Sequence, residues 1–99
     1  MKMDKLATAL RTINKSYGLD MTDLIILDDV AQRKRKGQVT IMEIVETSEA
    51  ASPATVHARI KRMCDQKVLK KILNENNLRY RELDFGPTYH QMVEEVGQV

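Results

Sequence analysis

Apolar residues recur at helical spacing through most of the chain and at alternate positions in one stretch near its end. Met3, Leu6, Leu10, Ile13 and Tyr17 follow three- and four-residue steps, one narrow stripe on a helix from about residue 3 to a stop at Gly18. That spacing suits a coiled-coil seam against another chain and equally a helix docked on its own domain. A second helix starts near Asp20 or Thr22, either of which can accept the free N–H groups of a first turn. It turns Leu24, Ile26, Leu27, Val30 and Ala31 inward and ends at Gly37. Gln38 to Thr40 can form a very short strand, and Thr40 with Glu43 makes a T-x-x-E capping box for a third helix that buries Ile41, Ile44 and Val45. The polar stretch Thr47, Ser48 and Glu49 breaks that helix. Ser52 as N-cap and Pro53 at the first helical position open a fourth, reaching about Gln66, with Val56, Ile60 and Met63 as its buried stripe.

Beyond Val68 the period becomes two. Residues 69 to 73 (LKKIL) and 78 to 85 (LRYRELDF) are expected as the arms of a hairpin, with Asn74 to Asn77 as its loop. Gly86 and Pro87 then open a last helix carrying Tyr89, Met92, Val93 and Val96 on a single stripe. Two short helices joined by a tight polar turn form a helix-turn-helix unit, and the hairpin that follows completes a mainly helical α+β architecture. The 99 residues suffice for one domain with a modest core, 1–99, in which 1–18 and 87–99 are terminal helices.

Charge changes the picture only when counted by segment. The net charge is +2, yet residues 33 to 36 (RKRK) carry +4 and residues 57 to 81 carry +6, while the last eighteen residues carry −4. Such a distribution lets a nearly neutral protein present one positive face to a polyanion. The RKRK tract also falls in the last turn of the second helix, where cations complement the helix dipole without any nucleic acid. On the fourth helix Thr55, His57, Ala58, Lys61 and Arg62 occupy positions off the buried stripe, and short side chains near its start permit close approach to a groove floor. Lys70, Lys71, Arg79 and Arg81 continue the positive charge along the hairpin.

Other chemistry is thinly represented. His57 and His90 stand far apart, and no glycine-rich phosphate loop or activated nucleophile is present, which argues against an enzyme. Cys64 is the sole cysteine and suits a half-buried core thiol. Paired with His57 it supplies only two ligands, so no metal and no cofactor are expected. The opening MKMDKLATAL lacks the long apolar run of a leader or membrane span, and a cytoplasmic location is expected.

Helix, helix, short strand, helix, turn, helix and basic hairpin is the order of a winged helix-turn-helix domain. Within it, SPATVHARIKRMCDQKVLKK resembles the recognition helix and first wing strand of MarR-type transcriptional regulators, and LDFGPTYHQMVEEV resembles their return strand and last helix. The resemblance spans about residues 20 to 96. It implies a homodimeric regulator of double-stranded DNA, with the helix from Pro53 to Gln66 in the major groove. Ala54, Thr55, His57, Ala58 and Lys61 would then lie nearest the bases, Arg59 or Arg62 would reach phosphate, the wing with Arg79 and Arg81 would lie against the minor groove, and Ser52, Lys70 and Lys71 would also contact DNA. The stripes Met3, Leu6, Leu10, Ile13, Tyr17 and Tyr89, Met92, Val93, Val96 would form the dimer interface. The chain departs from the family in its shortness, which argues against an effector pocket, in Asn77 where an acid usually orients the wing arginine, and in a helix-turn-helix turn without glycine. The competing uses of such a fold are a protein-protein adaptor, which has no need of eight cations within twenty-five residues, and a replication-initiator module.

Overall fold

The computed structural model describes residues 3–73 and 81–97. Its elements run α1 (Met3–Tyr17), α2 (Met21–Lys34), α3 (Ile41–Thr47), α4 (Pro53–Asp65), β1 (Leu69–Leu73), β2 (Arg81–Phe85) and α5 (Pro87–Gly97). The expected loop Asn74 to Asn77 and the first three residues of the expected return strand, Arg79 among them, lie outside the described residues. Five helices and a two-stranded antiparallel sheet make the winged helix-turn-helix architecture, with Leu69 opposite Phe85 and Leu73 opposite Arg81.

The helix boundaries follow local chemistry. Gly18 ends α1 at φ +67°. Asp20, not Thr22, caps α2: its side chain accepts the Asp23 N–H and the Asp23 side chain accepts the Asp20 N–H, a complete capping box. At α3 only half of the expected box forms. Thr40 accepts the Glu43 N–H, but the Glu43 carboxylate takes the Thr40 hydroxyl at 3.3 Å and pairs with Arg33 at 3.6 Å. Ser52 caps α4 by accepting the Thr55 N–H at 3.3 Å. The helix-turn-helix turn dispenses with glycine because none of its residues has positive φ, and Ser48 organises it by bonding Asp29 at 2.7 Å and the Ala50 N–H at 3.3 Å.

The end of α4 had no glycine to announce it. Lys67 takes φ +62°, its N–H bonds the Cys64 carbonyl at 3.1 Å, and the Val68 N–H bonds the Met63 carbonyl at 2.9 Å. These are the two bonds of a Schellman cap with lysine at the left-handed position, closed by the buried Met63 and Val68 side chains. The expected strand at 38 to 40 reduces to a bridge between Thr40 and Glu82 and a 2.8 Å bond from the Leu83 N–H to the Val39 carbonyl. That bond fixes the base of the wing to the entry of α3.

One aliphatic core joins the elements, including Leu19, Ile26, Val30, Val39, Ile44, Val56, Ile60, Met63, Leu69, Leu83 and Met92. Leu24 and Ala31, expected inward, are only half-buried, and the fully buried residue on α2 that periodicity missed is an acid, Asp23. Two residues expected at a dimer seam, Ile13 and Met92, are instead buried in the chain's own core, because the C-terminal half of α1 packs on α5. The Tyr17 hydroxyl bonds the Glu95 carboxylate across that contact. Met3, Leu6 and Val93 remain open, at 78%, 41% and 49% exposure, while Leu10, Tyr17, Tyr89 and Val96 are half-buried. Among the described residues no helix is long and apolar enough to cross a membrane.

Candidate nucleic-acid interface

The sequence Ser-Pro at the start of α4 and the core stripe Val56, Ile60, Met63 together decide which way this helix faces. With the stripe turned into the core, helical geometry points Ala54, Ala58, Lys61 and Asp65 directly outward. Ser52, Pro53 and His57 are exposed beside them, and Thr55 is half-buried with its hydroxyl accepting from Ser52 at 3.1 Å. The outward face thus begins with small side chains and ends with a cation, followed by an acid, Asp65, that the sequence reading did not weigh.

The two flanks of α4 have different neighbours. On the wing side, His57 and Lys61 join Lys71 of β1 and Arg81 of β2 around a groove of about 400 Å³, whose remaining lining is Thr40, Ile41, Met42 and Ile60. Four hydrogen-bonding or cationic groups from three elements therefore converge over an apolar floor. In the sequence Thr40 stood out only as a helix cap and Met42 not as part of a site, although their place around the start of α3, against the wing base, could have suggested it. Lys70, expected to act as Lys71 does, lies on the opposite face of β1, since successive strand residues alternate. There it faces Asp84, which Lys34 holds at 2.9 Å. The Lys34 hydrogen bond, more than any other influence, holds the Asp84 carboxyl below the usual carboxylate range. Of the RKRK tract, Arg33 is likewise engaged, bonding Thr47 at 2.7 Å, whereas Arg35 and Lys36 are exposed.

On the other flank, the expected phosphate ligands Arg59 and Arg62 turn toward α2. Arg59 Nη1 donates to Asp20 at 2.7 Å and lies 3.3 Å from both carboxylate oxygens of Asp23. Arg62 donates to Asp23, whose side chain has no exposed surface. The Arg59 hydrogen bond is the main reason the Asp20 carboxyl stays below its ordinary range, and Arg59 is raised in turn. This cluster was invisible to periodicity because its members are separated by 36 and 39 residues. Cys64, half-buried between core and surface as expected, has its thiol pushed up by burial, which disfavours the reactive thiolate.

The arrangement of a helix-turn-helix unit followed by a hairpin wing, with a core-locked second helix and a cationic groove beside it, defines a winged helix-turn-helix protein. Its fold is that of MarR- and MepR-type transcriptional regulators. A MepR variant from S. aureus, bound to an oligodeoxyribonucleotide, superposes with a TM-score of 0.71 at 12% identity over 96% of this chain and 67% of that one. A transcriptional regulator from Thermotoga maritima gives 0.68 at 16% identity over 92% and 61%. Wild-type MarR from E. coli in its apo form gives 0.63 at 11% identity over 99% and 76%. Identities this low carry the fold alone, and this chain spans about two thirds of the first two structures' length. The sequence matches no protein-family model and no curated protein.

Proposed function

We propose that this chain is a sequence-specific regulator of transcription that binds double-stranded DNA as a homodimer, with α4 in the major groove and the wing on the adjacent minor groove. The observation that carries the reading is the convergence of His57, Lys61, Lys71 and Arg81 on one groove beside the outward face of α4. Ala54 and Ala58 permit close approach, His57 and Lys61 are the base readers, and Lys71 and Arg81 neutralise phosphate. Arg79, the other wing cation expected from the resemblance, lies outside the described residues. The likeness in fold to a MepR variant solved with an oligodeoxyribonucleotide supports the same reading.

The open apolar residues Met3, Leu6 and Val93 are the surface through which two copies pair, with Leu10, Tyr17, Tyr89 and Val96 at its margin. Two-fold pairing would set the recognition helices about one turn of DNA, roughly 34 Å, apart on a palindromic site. A selection from random duplexes, followed by binding at increasing salt, tests the reading. Log K should fall against log salt with a slope of about −0.9 per phosphate, and five to eight phosphates per dimer, roughly, are expected. Failure to retain any duplex at about 50 mM salt, where phosphate contacts are strongest, would overturn it and favour a protein-binding adaptor.

A further inference from the structure

The cluster of Asp20, Asp23, Arg59 and Arg62 is the least expected feature of the chain. Asp23 is the one buried charged residue among those described. Its carboxylate is surrounded by donors: the Asp20 N–H at 3.1 Å, Arg59 at 3.3 Å and Arg62. Arg59 also reaches Asp20 at 2.7 Å. One turn of α4 is thereby bonded from two successive positions on its flank to the capping box that starts α2. The core side of α4 offers only Val56, Ile60 and Met63, and such aliphatic contacts have no directional preference. Hydrogen bonds do have one.

We infer that these four residues are a positioning clamp that fixes the roll of the recognition helix about its own axis, and that neither arginine serves as a phosphate contact. On a helix about 5 Å in radius, a roll of 20° carries a side-chain tip by about 2 Å, more than a hydrogen bond to a base edge tolerates. The clamp on one flank therefore decides where His57 and Lys61 arrive on the other. It also adjoins the end of α1, since the side chain of Gln66, the residue that caps the end of α4, donates to the Tyr17 carbonyl at 3.5 Å. This assignment rests on the DNA-binding reading and deepens it, naming the residues on which base discrimination depends without touching DNA.

Charge gives the test its direction. Removing an acid near DNA strengthens binding by electrostatics alone, whereas removing a clamp weakens recognition of the correct site. Asp20→Asn suits the purpose because asparagine caps helices as well as aspartate. Wild type, Asp20→Asn, Arg59→Lys and Arg62→Gln are each titrated with the selected duplex and with a scrambled duplex of equal length over a salt series, with thermal unfolding monitored in parallel. Asp20→Asn and Arg59→Lys should lose roughly tenfold on the selected site, comparable to one mismatched base pair, while binding the scrambled duplex no less tightly than wild type. Arg62→Gln should keep the wild-type salt slope. General destabilisation would lower both affinities together and would overturn the assignment. So would a slope reduced by about one phosphate per subunit in Arg62→Gln, or an Asp20→Asn variant that binds the selected site as well as or better than wild type. A wild-type protein that binds no duplex refutes the DNA reading itself, before any variant is compared.

Discussion

Gly86→Ala should cost this protein a large part of its stability, and the reason is geometric. Gly86 is buried where β2 ends and α5 begins. A Cβ placed there would lie 2.1 Å from the Lys67 carbonyl oxygen and 2.8 Å from its carbon, so the oxygen falls about 1.3 Å short of the 3.4 Å at which ordinary contact begins. The obstacle is backbone, and no side-chain rotation relieves it. The same junction holds the bonds from Gly86 N–H to the Val68 carbonyl at 2.9 Å and from Thr88 N–H to the Lys67 carbonyl at 3.1 Å. Overpacking costs about 1–3 kcal/mol and each weakened bond about 1 kcal/mol, together about 3–5 kcal/mol. A chain of this length has about 5–15 kcal/mol in all. At about 4–8 °C per kcal/mol, Tm should fall by roughly 12–40 °C. Gly97→Ala serves as the control, because its Cβ meets no described atom within 4 Å and the helix gains alanine's propensity. Thermal unfolding followed by far-UV circular dichroism decides the matter. A Gly86→Ala protein melting within about 5 °C of wild type would refute the close approach of Gly86 to the α4–β1 turn.

Three further outcomes follow from the same geometry. Lys67→Gly should raise stability by about 0.5–1 kcal/mol, since φ +62° penalises a side chain more than glycine's entropy costs; a lower Tm would contradict the Schellman assignment. Asp20 and Asp84 have folded pKa values below their unfolded ones, so the unfolded chain takes up protons first as pH falls. Their stabilisation is complete above about pH 4 and is lost as pH drops through the folded values. Urea unfolding between about pH 5 and 2 should therefore show a shallower decline for Asp20→Asn than for wild type, and parallel curves would exclude the Arg59 pairing as its source. For the proposed dimer, Leu6→Asp combined with Val93→Asp should yield monomers by sedimentation with secondary structure intact, and an unchanged dimer would refute that surface.

Much of this fold was legible because its signals are local. Ser52 and Pro53 marked the start of α4, Gly18 the end of α1, and the change of period after Val68 the wing, each through constraints spanning a few residues. What was hidden depends on distant partners. An aspartate three residues into a helix reads as a solvated first-turn acid, and only arginines 36 and 39 residues onward convert Asp23 into a buried ligand of two guanidinium groups. The same pairing removed Arg59 and Arg62 from the list of free cations. The left-handed Lys67 had no signature either, because glycine is the usual residue there. The equivalence assigned to Lys70 and Lys71 had a different origin: strand alternation was already in the sequence and sends them to opposite faces. The stripe of α1 suited another chain and its own domain equally, and Ile13, with Met92 of α5, found partners within the chain itself.

The buried carboxylate on α2 sets a condition on rebuilding this domain. A chimera that grafts a foreign helix lacking these arginines into residues 53–66 removes both counterions of Asp23 and strands a charge where water cannot reach it, at about 3–5 kcal/mol. Under the proposed DNA-binding function, retargeting by helix exchange therefore has to keep Arg59 and Arg62 with the scaffold, leaving Ala54, His57, Ala58 and Lys61 as the positions free to be rewritten.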